Sequence, residues 1–294
     1  MKTGFSVFLA AFVALGLSWC GLVYGPLKQL GGAQETTVLQ STDKWPVQRT
    51  GDATLGLQVY RANGCAACHT ELVHQTGAAN VLTLTDIGVH KAADLKDFTT
   101  SLLGTVSELT TASNTVVANL AGWNGELPKV IYSGADDTVV SMLGDKFKAV
   151  GVKTEARVIA TGADIARGWG TRQSVAADYL YDSPVQFGSL RAGPDLANIG
   201  VRAPDLNWQL QHLYAPRSLV KNSTMPAFRY LFTVKKIGAQ PAPDALVLPK
   251  EFSPATGFEV VPTDEARQLA AYLVSLKNNA PLYEAPFTPI TAAK

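Results

Sequence analysis

The chain has little charge, few cysteines and no excess of either sign. Lys and Arg number 25 against 24 Asp and Glu, and charged residues make up 17% of the 294 residues. A formal net charge of +1 argues against nucleic-acid binding, and this composition is not that of a disordered chain. Three cysteines are too few for a disulfide framework, so the cellular compartment has to be inferred from other features. The length leaves room for one large domain or two modest ones.

Two of the three cysteines lie in the sequence Cys65-Ala-Ala-Cys68-His69. Two cysteines separated by two residues and followed by histidine form the attachment sequence of a c-type haem. One helical turn separates the thiols, so both reach the vinyl groups of one porphyrin, and the histidine lies under the iron as an axial ligand. A zinc site would need further ligands at suitable spacing, and a redox dithiol does not require the histidine. The sequence therefore predicts one haem c, attached through Cys65 and Cys68 and ligated by His69.

An uncharged run of Phe, Val, Leu and Ala covers residues 4–24. Twenty-one helical residues span about 31 Å, which matches the hydrocarbon core of a lipid bilayer. The alternative is a cleaved signal peptide, but no small-x-small cleavage site follows. We predict an uncleaved membrane anchor over residues 1–25. Because c-type haem is attached outside the cytoplasmic membrane in bacteria, the N-terminus is predicted to be cytoplasmic and the rest of the chain periplasmic.

The remaining sequence divides by composition. Residues 26–51 are polar and read as a linker. Residues 52–75 and 161–294 are predicted to form a mainly α, class I cytochrome c-like haem domain, in which a first helix carrying Gly56 and Tyr60 crosses a last helix that begins near Thr263. Residues 76–160 carry the pattern strand, helix, helix, strand, helix, strand. They are predicted to be an inserted α/β domain, and this element order resembles that of the C-terminal domain of the bacterial ribosomal stalk protein.

Two later loops are predicted to complete the haem site. Pro194 lies in a sequence that resembles the loop of class I cytochromes c in which a proline carbonyl accepts a hydrogen bond from the ligand histidine; an ordinary turn is the alternative. Met225, stiffened by the following proline, is the favoured sixth ligand, since a thioether stabilises reduced iron. His212, Met142 or an open iron position are the competing possibilities.

Arginine is the usual bidentate partner of a carboxylate, so arginines of the loop-rich segment are candidates to hold the haem propionates. The predicted set is Arg172, Arg191 and Arg202. The sequence does not distinguish those that bind propionates from those that pair with nearby aspartates.

With these residues identified, the chain resembles the membrane-anchored monohaem subunit II of cbb3-type cytochrome c oxidases. The likeness extends over five stretches and Trp208; the stretches are residues 60–70, 167–179, 184–202, 212–217 and 223–226. The resemblance implies thioether bonds at Cys65 and Cys68 and axial ligation by His69 and Met225. It also implies one-electron transfer from another c-type cytochrome to a catalytic haem–copper subunit. Residues 76–160 depart from the family, which has a short connection there.

Other classes of protein remain as alternatives. The small monohaem subunit of a nitric oxide reductase matches the architecture but not the stretches after residue 167. An anchored haem enzyme or sensor would have an open iron site, and a scaffold protein would use residues 76–160 to bind a partner. No nucleophile–base pair or acid pair can be assigned from spacing, so the chain is predicted not to be an enzyme on its own.

Overall fold

The computed structural model describes residues 2–102 and 109–287. The helices are α1 (Lys2–Trp19), α2 (Gly25–Leu30), α3 (Asp52–Ala62), α4 (Ala92–Leu102), α5 (Thr110–Leu120), α6 (Asp137–Ala149), α7 (Ala163–Ala166), α8 (Ile199–Arg202), α9 (Leu206–Tyr214), α10 (Pro216–Leu219) and α11 (Asp264–Ser275). The strands are β1 (Thr36–Thr37), β2 (Lys44–Trp45), β3 (Gly77–Asp86), β4 (Lys129–Gly134), β5 (Lys153–Thr161), β6 (Phe232–Lys236) and β7 (Phe258–Pro262). The described chain is thus a mix of helices and small sheets.

The N-terminal apolar run is helical throughout. A π-helical turn, Cys20–Tyr24, joins α1 to α2. Within this run the stretch Gly4–Gln29 has a mean hydropathy of 2.1, and its most apolar window is not buried against the rest of the chain. Twenty-six residues at about 1.5 Å each give about 39 Å, enough to cross a bilayer.

Helices α3 and α11 cross at very short range. A Cβ atom placed on Gly56 of α3 would lie 1.9 Å from the Gln268 carbonyl oxygen of α11. Tyr60 and Tyr272 pack beside this crossing, with ring centroids 5.1 Å apart, and both are fully buried. The predicted crossing of the first and last helices, with Gly56 as the point of close approach, is confirmed. Leu269 and Leu273 of α11 complete the same core cluster together with residues of α9.

Among the described residues, a second hydrophobic cluster is built from side chains between Leu82 and Val152. Its elements follow the order strand, helix, helix, strand, helix, strand that the sequence predicts. The three strands form an antiparallel sheet in the order β4-β3-β5. The entry and exit of this segment are adjacent, because the Thr76 amide donates to the Thr161 carbonyl at 2.9 Å. Residues 103–108, between α4 and α5, lie outside the described residues.

A two-stranded ribbon connects the segment after Met225 to the last helix. Strand β6 pairs with β7 in antiparallel register, with Phe232 opposite Pro262. The Thr263 amide and hydroxyl both donate to the Leu231 carbonyl, and the same hydroxyl accepts from Ala266 as the cap of α11. The loop that carries Met225 is thereby fixed to the helix that crosses α3.

Candidate functional site

The Cys-x-x-Cys-His sequence follows directly on α3 as a tight turn. Gly64 adopts a left-handed conformation with φ of 66°, which ends the helix and starts a 3-10 turn over Cys65–Ala67. The His69 and Cys68 amides both donate to the Cys65 carbonyl, at 3.0 and 3.1 Å. Both thiols are free; Cys68 is exposed, and burial raises the pKa of Cys65 to about 12. The turn therefore holds two unpaired thiols and a histidine within five residues.

His69 is oriented by the loop that contains Pro194. The His69 Nδ1 atom lies 2.8 Å from the Pro194 carbonyl oxygen. Since a carbonyl only accepts, Nδ1 is the donor in this bond, and Nε2 is the ring nitrogen that takes no part in it. Gly193 makes this contact possible, because a Cβ atom there would lie 2.2 Å from His69 Cε1. The structure thus presents Nε2 of His69 as a free ligand atom.

A buried carboxylate holds this loop against the chain that follows His69. Asp195 is fully buried and accepts from the Thr70 hydroxyl at 2.5 Å and from the Leu72 amide at 2.8 Å. It also accepts from the Ala197 amide at 2.9 Å. Gly193, which precedes Pro194 in the chain, donates from its amide to the Cys68 carbonyl. The Pro194 carbonyl is therefore held by bonds on both sides of it, which fixes the His69 ring.

Met225 lies on a second loop, which packs against the same core as the cysteines. Its side chain is half-buried and contacts the cluster that Cys65 also contacts. Two bonds hold the loop on the α9–α10 region: the Phe228 amide donates to the Leu213 carbonyl at 2.9 Å, and Arg217 Nε donates to the Ser223 carbonyl at 3.2 Å. The Tyr230 hydroxyl donates to Asn63 at the end of α3. The loop is thereby tied to the segment that carries the cysteines.

The two competing ligands lie in different places. Met142 of α6 packs against the second hydrophobic cluster, as expected for a core methionine, and is not part of the site. His212 of α9 is half-buried and stacks on Trp208, with ring centroids 4.9 Å apart and an angle of 7° between the planes. Burial, and then the nearby charge of His69, lower the pKa of His212. Its Nδ1 atom is buried and has no hydrogen-bond partner among the described residues.

The three predicted propionate-binding arginines have different partners. Arg172 is fully buried and forms a bidentate pair with Asp178, at 2.7 and 2.9 Å, while its Nε donates to the Ala280 carbonyl. The Nη1 atom of Arg191 donates to both carboxylate oxygens of Asp164, at 2.7 and 2.8 Å. Arg191 also donates to the Thr70 hydroxyl at 3.1 Å. Both guanidinium groups therefore already hold carboxylates inside the protein.

Arg202 is the exception among the three. Within the described residues its side chain makes one hydrogen bond, from the guanidinium to the Asp195 carbonyl. Burial lowers its pKa, and the charge of Asp195 partly offsets this effect. Since no carboxylate within 4 Å is paired with it in the described part of the chain, Arg202 is the one of the three whose guanidinium remains available to an external carboxylate.

A buried acid next to the motif was not predicted from the sequence. Glu71 is 2% exposed, and the Tyr272 hydroxyl donates to its two oxygens at 3.0 and 3.1 Å. Burial raises the pKa of Glu71 to about 8, and the Tyr272 bond acts in the opposite direction. Together with the Arg49–Asp182 ion pair, Glu71 lines a cavity of about 410 Å³. Nothing in the local pattern distinguishes Glu71 from a surface residue, because its burial depends on the distant α11.

The donor set can be compared with the needs of the haem that the motif predicts. The thiols are unpaired, His69 offers one ring nitrogen, and a thioether lies on a loop tied to the same segment. The buried and unpartnered His212 Nδ1 is the kind of orphaned atom that a bound group satisfies. In contrast, no three His, Cys, Asp or Glu side chains in residues 2–102 and 109–287 gather in a way that could hold a metal ion. The arrangement fits a protein that carries a single haem and does not fit a zinc site.

A match to a known protein family indicates more closely which kind of single-haem protein this chain resembles. The family described as cytochrome C oxidase, mono-heme subunit/FixO matches residues 158–255, about a third of the chain. The match confirms the resemblance to subunit II of cbb3-type oxidases, and this mono-haem family implies one haem. The matched range includes Pro194, His212 and Met225 but begins after the Cys-x-x-Cys-His sequence. No curated protein matches the chain.

Proposed function

We propose that this protein is the electron-transfer subunit of a cbb3-type cytochrome c oxidase. The observation that carries the proposal is the hydrogen bond from His69 to the Pro194 carbonyl, across 125 positions of sequence. It joins the Cys-x-x-Cys-His sequence, which lies outside the family match, to the segment that matches the mono-heme subunit. The motif and the family match therefore describe one site.

The proposal gives each residue of the site a role toward one haem c. Cys65 and Cys68 would hold it covalently, and His69 and Met225 would be its axial ligands. When bound, the haem supplies a centre that gains and loses one electron. Pro194 fixes the His69 ring, since a hydrogen-bonded imidazole cannot rotate freely and is a stronger ligand. The core around Met225 and Tyr60 excludes water from this side of the site.

Arg202 is the proposed partner of a haem propionate, because its guanidinium has no carboxylate partner among the described residues. Arg191 and Arg172 were predicted for the same role. We propose that they act indirectly, by holding residues of the protein around the haem site. Arg191 donates to Thr70 and to Asp164, and Asp164 in turn accepts from the His74 amide, so Arg191 holds the chain that follows the histidine. Arg172 fixes Asp178, which also accepts from the Trp45 indole at 2.7 Å.

The proposal also covers the architecture. Residues 1–25 would anchor the chain in the bacterial cytoplasmic membrane with the N-terminus in the cytoplasm. The α3–α11 crossing and the two loops support a class I cytochrome c-like domain over residues 52–75 and 161–294, facing the periplasm. Residues 76–160 would be a separate inserted domain, supported by their own hydrophobic cluster and their adjacent ends. The partners would be a c-type cytochrome as donor and a catalytic haem–copper subunit as acceptor, without catalysis by this chain.

Covalent haem attachment is tested by cysteine variants of the full chain in a host that matures c-type cytochromes. C65A and C68A should each lose haem-dependent peroxidase staining on a denaturing gel, or retain only a single thioether with an altered haemochrome spectrum. C20A is the matched control, because Cys20 lies in the apolar helix and is exposed along it. Full staining of the double variant C65A/C68A would refute the attachment sites.

The ligand and the partner need separate measurements. M225A should remove the methionine-to-iron charge-transfer band and lower the midpoint potential; an unchanged band would refute ligation by Met225. Purification in mild detergent should recover a catalytic haem–copper subunit with the chain. Recovery with a nitric oxide reductase instead, or rapid binding of carbon monoxide and cyanide to the isolated wild-type chain, would support the alternative functions.

A further inference from the structure

The polar segment between the apolar helix and α3 is bonded to the rest of the chain at several points. It leaves α2 at Gly31, whose amide donates to the Leu27 carbonyl at 2.8 Å. Strands β1 and β2 then fold it into a short ribbon, in which Thr36 lies opposite Trp45. Residues 35–50, here called the strap, contact the domain that carries the haem motif.

The first contacts of the strap lie close to the end of the apolar helix. The Tyr181 hydroxyl donates to the Glu35 carboxylate, and the Leu39 amide donates to the Pro281 carbonyl at 3.0 Å. From Gly31 to Glu35 the chain can extend over at most about 14 Å. A free linker from Gly31 to the start of α3 would reach about 75 Å when fully extended. The contacts therefore remove most of the reach that this length of chain allows.

Arg49 holds the far end of the strap. Its guanidinium forms an ion pair with Asp182, and its Nε donates to the Ser275 hydroxyl at 3.2 Å. It also lies over the Tyr272 ring, 5.2 Å from the centroid. The Asp182 side chain is 3% exposed, and no second cation pairs with it among the described residues. Release of Arg49 would leave this carboxylate without its charge partner, which is costly for a buried acid.

Trp45 attaches the middle of the strap. Its indole N–H donates to Asp178 at 2.7 Å, and the same carboxylate binds Arg172. Pro46, the next residue, is buried. Strap residues and Glu71 together line the cavity of about 410 Å³, so the strap forms one wall of that cavity.

We infer that the strap holds the haem domain in one position and orientation beside the end of its membrane helix. The haem then works at a fixed place and does not move on a flexible tether. This inference rests on the proposed function, because it takes residues 1–25 as a membrane anchor. A fixed position favours partners that are bound at the same height above the bilayer, whereas a free tether spreads the domain over a large volume.

Spin labels on the haem-loaded full chain, in a phosphatidylcholine nanodisc and with the haem reduced, measure this position directly. One label is attached to the native Cys20 of the apolar helix, which is exposed, and the other to the variant E265C, in the exposed first turn of α11. W45F/R49Q removes two of the strap contacts. K44Q is the matched control, because Lys44 bonds to Thr37 inside the ribbon. Amide hydrogen exchange of residues 36–49 and haem content are measured for the same variants.

The wild-type strap and K44Q should each give one narrow distribution of distances between the labels. In W45F/R49Q the distribution should broaden toward about 25 Å, the root-mean-square extension of a free chain from Gly31 to α3. Amide exchange of residues 36–49 should become at least about fivefold faster, the equilibrium factor for losing one typical hydrogen bond. Haem content should stay the same, because neither substitution touches a proposed ligand.

A broad distribution with the wild-type strap would overturn the inference, and this result does not depend on whether W45F/R49Q folds. A haem-loaded W45F/R49Q chain with wild-type distances and exchange would also overturn it, as would equal broadening in K44Q. A chain that does not enter the nanodisc would overturn the anchor and this inference together. Absence of a co-purifying oxidase, combined with a narrow distribution, would overturn the proposed function alone.

Discussion

The close approach of α3 and α11 makes a sharp prediction for Gly56. An alanine Cβ there would lie 1.9 Å from the Gln268 carbonyl oxygen and 2.7 Å from Tyr272 Cβ. Ordinary contact begins at 3.4 Å, so the helices would have to separate by about 1.5 Å. Overpacking of this kind costs about 1–3 kcal/mol, while replacing a helical glycine by alanine contributes only about 0.5–1 kcal/mol in the other direction. G56A should therefore be destabilised.

Thermal unfolding of the full chain, followed by circular dichroism, measures the effect. For a domain of this size each kcal/mol lost lowers Tm by about 2–4 °C. Gly144 offers the matched control, because it is also helical but a Cβ atom there meets its nearest neighbour at 3.5 Å. G144A should be neutral or stabilising. An unchanged or raised Tm for the transition of the haem domain in G56A would refute the packing argument.

Three further predictions follow from the buried charges and the adjacent ends of the insert. Because the pKa of Glu71 is raised, its contribution to stability is complete below the unfolded pKa of 4.5 and is lost as pH rises through about 8. Tm should therefore fall between pH 5 and pH 9 in the wild type but much less in E71Q. Equal slopes of Tm against pH in the two proteins would contradict this. R172A should lower the free energy of unfolding in urea by about 3–5 kcal/mol, because it leaves the Asp178 carboxylate buried and unpaired. R202A should alter the haem potential with a smaller loss of stability. Replacing residues 77–160 with a short glycine linker should leave haem staining and co-purification with the oxidase intact, and loss of both from a soluble, folded protein would show that the insert is required.

The features that could be predicted from the sequence are those encoded within a few turns of chain. The spacing of Cys65, Cys68 and His69, the apolar run before Pro26 and the element order of residues 76–160 all follow from local pattern. The crossing at Gly56 was also predictable, because a glycine on the buried face of a helix indicates close approach of another element. Each of these features follows from the period or the spacing of residues in the sequence, and none of them requires knowledge of distant contacts.

The partners of the charged residues could not be predicted in the same way. The loop-rich segment supplies several arginines and aspartates of similar local character, and only the folded chain pairs Arg172 with Asp178 and Arg191 with Asp164. Glu71 was missed for the same reason, since its burial depends on Tyr272, 201 positions away. Ion pairs and buried acids are set by which loops meet, and loop packing leaves no periodic signal in the sequence.

By itself, the sequence determined the attachment motif, the apolar N-terminal helix and the candidate ligands His69 and Met225. The His69–Pro194 hydrogen bond was predicted by resemblance, and the tertiary structure gave its geometry. Only the tertiary structure decided that Arg202, unlike Arg172 and Arg191, has no carboxylate partner among the described residues, and that the His212 Nδ1 atom is buried without a described partner. The physical reason is the distance along the chain over which each interaction acts. The Cys-x-x-Cys-His spacing and helix formation depend on residues within one or two turns, whereas the orientation of the His69 ring depends on a hydrogen bond to a loop more than a hundred residues away.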